Sequence, residues 1–202
     1  MLSVYGPQQW WPADSPFEVM IGAILTQNTA WSNVEKAIAN LKTLQLLEPQ
    51  AIIEAPVTTI AEAIRPSGYF NQKSVRLQGF CNWYLQQGGY SSLNQCSTAE
   101  LRHALLTVKG IGPETADDML LYAFERAVFV VDAYTRRIFS RLGLLSGEEG
   151  YEVVRAGFEQ ALPQDVAMWN EYHALIVQHA KQHCKKKPLC GACCLQQWCK
   201  VI

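Results

Sequence analysis

The chain has 202 residues, 49% of them hydrophobic, enough to bury a core as one domain or as two small lobes. A net charge of −1 excludes binding to nucleic acid through overall basicity, and no apolar run reaches membrane-spanning length. The N-terminus lacks a basic stretch followed by an apolar one, so a cytoplasmic protein is expected. The charge is unevenly spread. After Glu171 there is no acid, while Lys181, Lys185, Lys186, Lys187 and Lys200 give that end +5 and leave −6 for the rest. A basic end of this kind is either a solvated tail or a surface that follows a phosphate backbone.

Helix punctuation dominates in chain order, and strand alternation is nearly absent. Ser15-Pro16-Phe17-Glu18 combines a cap, a proline at the first helical position and a returning glutamate, which predicts a helix to residues 25–27. Ser32-Asn33-Val34-Glu35 reads as a second capping box, opening a helix with Val34, Ile38 and Leu41 on one face. Residues 48–55 and 59–64 are expected as short helices stopped by Pro56 and Pro66. Residues 71–87 form a longer one ended by Gly88-Gly89. Ser97-Thr98-Ala99-Glu100 is a capping box for a helix over residues 98–107. Helices over 133–142, 150–161 and 165–183 complete an all-α count of roughly ten.

Residues 108–132, VKGIGPETADDMLLYAFERAVFVVD, carry the most information. In KGIGP the glycines at 110 and 112 bracket Ile111, so both glycines are expected at positive φ while Ile111 plugs the core. Pro113 fits the first helical position and Glu114 the first turn. The unpaired N–H groups there suit an anion, most simply a phosphate. The plain alternative is an ordinary tight turn between two packed helices. Downstream, the apolar run AVFVVD ends in Asp132 just before another helix, where the acid serves at least as an N-cap.

The cysteine count is seven, which argues against a fully paired disulfide framework. Five of the seven crowd between Cys184 and Cys199. Cys184-x5-Cys190-x2-Cys193-x5-Cys199 offers four thiolates in one loop, and that spacing suits tetrahedral zinc and an iron–sulfur cluster equally. Cys194, beside Cys193, leaves the third ligand open between the two. Cys81 and Cys96 read as isolated, buried cysteines.

The hairpin, the VVD run and the segments QWWP (9–12), LTQNT (25–29), RPSGYFNQK (65–73) and KGIGPETAD (109–117) together resemble the helix-hairpin-helix DNA glycosylases of the endonuclease III superfamily, most of all the 3-methyladenine (alkylpurine) branch. The resemblance covers nearly the whole chain. It implies an all-α, two-lobed fold with a C-terminal iron–sulfur (4Fe-4S) cluster loop. Residues 15–131 would form a six-helix lobe carrying the hairpin, and residues 1–14 plus 132–202 the second lobe. It also implies a base held between the lobes and Asp132 as the catalytic carboxylate. Backbone phosphate binding would fall at Lys109, Gly110, Gly112, Glu114 and Thr115, and the wedge that fills the vacated stack at Gln27 with Asn28. Trp10, Trp11 and Trp31, which on pattern alone read as packing residues, become the base pocket. The cluster ligands would be Cys184, Cys190, Cys193 and Cys199, although the family's usual first spacing is x6.

By the same resemblance the partner is double-stranded DNA with a damaged base, in the bacterial or archaeal nucleoid, and the protein a monomer. Glu114 occupies the position where bifunctional relatives carry a Schiff-base lysine, and glutamate cannot form an imine, so base hydrolysis without strand cleavage is expected. Lys109 is the residue that threatens this expectation. Ala23 stands where mismatch-adenine relatives place a catalytic glutamate. The alternatives are a glycosylase/lyase acting on oxidised or mismatched pyrimidines, and a non-catalytic DNA-binding hairpin module.

Overall fold

The structure, a computed structural model, describes residues 1–8 and 10–200. Gln9, which opens the QWWP motif, lies outside the described residues. Every regular element among the described residues is helical. In chain order they are α1 (Leu2–Tyr5), α2 (Pro16–Leu25), α3 (Trp31–Thr43), α4 (Pro49–Glu54), α5 (Val57–Ala63) and α6 (Phe70–Gln86). They continue with α7 (Gly89–Leu93), α8 (Thr98–Leu106), α9 (Pro113–Asp118), α10 (Ala133–Arg141), α11 (Tyr151–Ala161) and α12 (Val166–Gln182). They fall into two compact units, a central one (Ala13–Phe124) and a terminal one (Met1–Pro12 with Glu125–Ile202).

The central unit is built on α2. Ser15 Oγ accepts the Glu18 N–H at 3.2 Å and Pro16 follows, so the helix starts where the capping residues direct it. From Phe17 to Leu25 every residue is buried, the mark of a helix enclosed on all sides. α3 buries Val34, Ala37, Ile38 and Leu41, as the spacing predicts. Its start differs from the expectation. The helix begins at Trp31 behind Ala30, with no side-chain cap, so Ser32 is already inside the helix and its hydroxyl lies past the first N–H groups. α5 starts at Val57 with Pro56 as its N-cap, two residues earlier than expected.

α6 is anchored by a lysine. Lys73 is fully buried, and its Nζ donates to the Leu25 and Ser67 carbonyls, both at 2.8 Å. Burial, and then the neighbouring Arg76 cation, pulls its pKa down to about 8. Gly88 and Gly89, at φ 82° and 70°, end α6 as expected and open α7, a short helix that the sequence did not announce. At α8 the Ser97–Glu100 capping box forms in full. After α9 the chain continues as one π-helical turn, Met119–Ala123, whose residues pack against α2.

In the terminal unit, Val128–Val131 run extended and buried, with the Phe129 N–H donating to Glu159 Oε1 at 3.0 Å. Phe129 stacks on Phe158 with centroids 4.2 Å apart, and Phe139, Trp169 and Tyr172 meet that pair edge-on. Asp165 caps α12 by accepting the Met168 N–H at 3.0 Å. At the N-terminal end, the Gln8 N–H donates to both carboxylate oxygens of Glu171, at 3.0 and 3.2 Å.

Candidate active site

Asp132 ends the extended run and caps α10, where its Oδ1 accepts the Thr135 N–H at 2.6 Å. Its Oδ2 lies 3.6 Å from His173 Nε2 on α12, within ion-pair reach of a protonated imidazole. The carboxylate is mostly covered, with 13% of the side chain exposed. Burial pushes its pKa up, but the His173 imidazole and the Thr135 N–H more than offset that and hold it below the ordinary aspartate value. An anion therefore stands at the N-terminal end of α10 throughout the neutral pH range, braced on both oxygens.

The hairpin lies in the central unit. Arg102 on α8 forks onto the fully buried Asp117 on α9, Nε to Oδ1 at 2.6 Å and Nη2 to Oδ2 at 3.1 Å, so the two arms are tied together. Ile111 is buried between them, as expected. Gly110 takes φ 93°, and a Cβ there would come within 2.7 Å of the Arg76 side chain. Gly112 corrects the expectation: its φ is −96° and ψ 177°, ordinary extended backbone, because it serves as the N-cap of α9. α9 has no side-chain cap, since its N-cap is Gly112. Lys109 and Glu114 are exposed on this surface. Thr115 is buried, and its hydroxyl accepts the Gln27 Nε2–H at 3.0 Å.

Gln27 is held on three sides. Its Nε2 also donates to the Gly110 carbonyl at 3.0 Å, and its Oε1 accepts Arg76 Nη1 at 2.7 Å. Asn28 is exposed at φ 56°. Of the three tryptophans, Trp10 and Trp11 belong to the terminal unit and Trp31, the first residue of α3, to the central one. Lys181 Nζ sits 5.2 Å from the Trp10 ring centroid, and Trp10 Nε1 is buried without a hydrogen-bond partner. Trp11 has φ 63°.

Cys184, Cys190, Cys193 and Cys199 all line one cavity, with Arg141, His183, Pro188 and Leu189. Cys194 is turned away from it, its Sγ 4.0 Å from the Tyr5 hydroxyl and 3.9 Å from His179 Nδ1. Among the described residues no three His, Cys, Asp or Glu donors converge as a single metal ion requires. The four sulfurs that line one cavity form a donor set that either tetrahedral zinc or an iron–sulfur cluster would accept. α10 secures the loop: Arg141 Nη1 donates to Cys184 Sγ at 3.2 Å and to the Lys185 carbonyl at 2.7 Å, and Arg137 Nε to the Cys184 carbonyl at 2.8 Å. Of the two remaining cysteines, Cys81 is buried and its thiol pushed up to about 12 by that burial. Cys96 is half-exposed rather than buried, because it closes a surface turn after α7.

Arg76, Arg102, Asp117, His173 and Arg141 carry much of this geometry and escape sequence reasoning. Their partners lie 15 to 49 residues away where a hydrogen bond is recorded, and only an acid inside a helix at Asp117 hinted at one.

Residues 21–164 match the HhH-GPD superfamily of base excision DNA repair proteins. The chain belongs to that superfamily. It is 46% identical to a putative DNA repair glycosylase of Methanocaldococcus jannaschii, over 98% of this chain and 92% of the relative. Endonuclease III of Sulfolobus acidocaldarius is 29% identical over 91% of this chain and 81% of that protein. Among solved structures, H. pylori 3-methyladenine DNA glycosylase bound to 1,N6-ethenoadenine aligns with a TM-score of 0.76 at 32% identity, covering 90% of this chain and 92% of that one. A non-covalent endonuclease III–DNA complex aligns at 0.82 with 21% identity, over 98% and 90%, and shares the fold. The all-helical architecture is thus the family's own, and the chain is an endonuclease III-like member of a DNA glycosylase family.

Proposed function

We propose that this chain is a monofunctional DNA glycosylase that hydrolyses the N-glycosidic bond of alkylated purines, 3-methyladenine above all, in double-stranded DNA. The observation that carries the reading is Glu114. It stands exposed in the first turn of α9, where bifunctional relatives carry the lysine that attacks the sugar, and a carboxylate cannot form an imine. The likeness to the H. pylori enzyme supports the alkylpurine class.

A base inside a duplex must leave the stack before its bond to the sugar can break. The hairpin N–H groups around Gly110, Gly112, Glu114 and Thr115 hold phosphate, with Lys109 beside them, and Gln27 and Asn28 fill the vacated space. The indole faces of Trp10, Trp11 and Trp31 receive the purine. An N-alkylated purine is cationic, and a positive ring over an indole gains about 1–2 kcal/mol that a neutral base does not. The contact of Lys181 with Trp10 has the same chemistry. A cationic purine departs as a neutral base with the bonding electron pair, so no strong acid is needed. The ionised Asp132 stabilises the positive charge that develops on the sugar and orients the water that adds at C1′, which loses its proton to solvent.

Cys184, Cys190, Cys193 and Cys199 would hold a 4Fe-4S cluster, which supplies metal–ligand bonds that fold a lysine-rich loop. Lys185, Lys186 and Lys187 then present charge to the DNA backbone. The protein acts as a monomer in the cytoplasm, on nucleoid DNA.

Methylated duplex DNA incubated with the protein should release free 3-methyladenine and leave strands that break only after alkali. A second reading, an endonuclease III-like glycosylase with lyase activity on pyrimidines, is favoured by the exposed Lys109 beside the hairpin and by the Sulfolobus relative. Strand nicking without alkali that disappears in Lys109→Ala would select it.

A further inference from the structure

The Cys193 side of the loop is held by a chain of polar contacts that base excision does not use. His179, on the last turns of α12, is 1% exposed. Its Nδ1 lies 2.8 Å from the Tyr5 hydroxyl on α1, and its Nε2 lies 3.6 Å from Cys193 Sγ. Cys194 Sγ reaches the same pair from the other side, 4.0 Å from the Tyr5 oxygen and 3.9 Å from His179 Nδ1.

Donor and acceptor requirements give this chain a direction. A thiolate bound to iron has no proton to offer, so beside it His179 Nε2 must be the donor. A neutral ring with its proton on Nε2 has a lone pair on Nδ1, and the Tyr5 hydroxyl donates to it. Every group is then satisfied in one order only: Tyr5 O–H to Nδ1, and Nε2–H to sulfur. Arg141 Nη1 does the same for Cys184 at 3.2 Å, but it is a permanent cation and needs no partner to set its protons.

We propose that Tyr5 and His179 form a positioning pair that donates an N–H···S hydrogen bond to the Cys193 thiolate and raises the reduction potential of the iron–sulfur cluster. A donor aimed at a ligating sulfur withdraws negative charge from it, which favours the more reduced state. The four-residue α1 thus gains a role that its length alone would not suggest: it fixes the tautomer of a buried ring at the metal loop. The proposal rests on the cluster assignment above.

The test uses the full-length protein, purified without oxygen. Visible absorption comes first, because a wild-type protein with no visible band removes the cluster assignment itself, separately from this proposal. With the band present, the midpoint potential is measured by spectroelectrochemical titration. His179→Leu should move it to more negative values and speed bleaching in air. His179→Gln, whose amide N–H can reach the same sulfur, should restore most of the wild-type value. Tyr5→Phe frees the tautomer while leaving the ring packed, and should give a smaller shift in the same direction. A wild-type potential in His179→Leu overturns the proposal. If that variant fails to load or fold, an unchanged potential in Tyr5→Phe overturns it instead.

Discussion

Between Phe17 and Leu25 the central unit buries nine consecutive residues, whereas from Lys185 to Lys200 the cysteine loop buries none. The first segment is specified by apolar area: Met20, Ile21, Ile24 and Leu25 are fully enclosed, each adding on the order of 1.5–3 kcal/mol. The second has thiols, lysines and main-chain hydrogen bonds, and its contacts with α10 run through Arg137 and Arg141. One region folds because water is expelled from it. Under the proposed cluster assignment, the other would be held by metal–thiolate bonds.

The contrast can be broken at several points. The largest expected effect is chemical: Asp132→Asn should lower base release on the order of 10²–10⁴-fold. Asparagine caps a helix as well as aspartate does, so α10 should stay folded and binding to abasic DNA should survive in a gel-shift assay. A parallel loss of binding would mean that the carboxylate serves the fold. Next comes the loop. Cys193→Ser should remove the visible absorption and open residues 185–187 to trypsin, while mass spectrometry finds residues 13–124 intact. A loop that resists trypsin in that variant would show that it folds unaided.

The central unit's main polar tie should be costly in a different way. Asp117→Ala removes the buried carboxylate on which the Arg102 guanidinium forks and should lose about 3–5 kcal/mol in urea unfolding, without changing the visible absorption. The pH dependence is subtler. Asp132's folded pKa lies below its unfolded one, so its contribution is present above the ordinary aspartate value and fades as pH falls through the folded pKa. His173→Ala removes a lowering cause and should move that window upward, read as the Asp132 carboxyl shift by carbon NMR. The smallest effect is Ser15→Ala, about 1 kcal/mol, because burial and not the cap dominates α2.

Local chemistry was legible wherever a residue acts on its own neighbours. Ser15, Ser97 and Asp132 cap the helices they precede, and Pro113 opens α9 as its fixed φ requires. The superfamily was legible because the motifs span the chain in one order. What stayed hidden depends on distance in sequence. Nothing near Lys73 says that its ammonium will sit between two carbonyls, nor near Gln27 that Arg76 and Gly110 will hold it. Local signals also misled where two competed. At Ser32 the capping pattern is real, but Ala30 in extended conformation already starts the helix two residues earlier. At Gly112 the hairpin needed one glycine at positive φ, not two, since the second had to enter α9.

The nine residues of α10 span about 13 Å, with Asp132 at the head and Arg141 at the foot. That helix is a lever, and its foot rests on the thiols. If the thiols hold the proposed cluster, a molecule stripped of it would keep an undamaged carboxylate mounted on a strut whose base has come loose. The proposed excision would then stall well before the apolar interior of the central unit melts, and oxidative injury to the loop would silence that activity while leaving most of the protein standing.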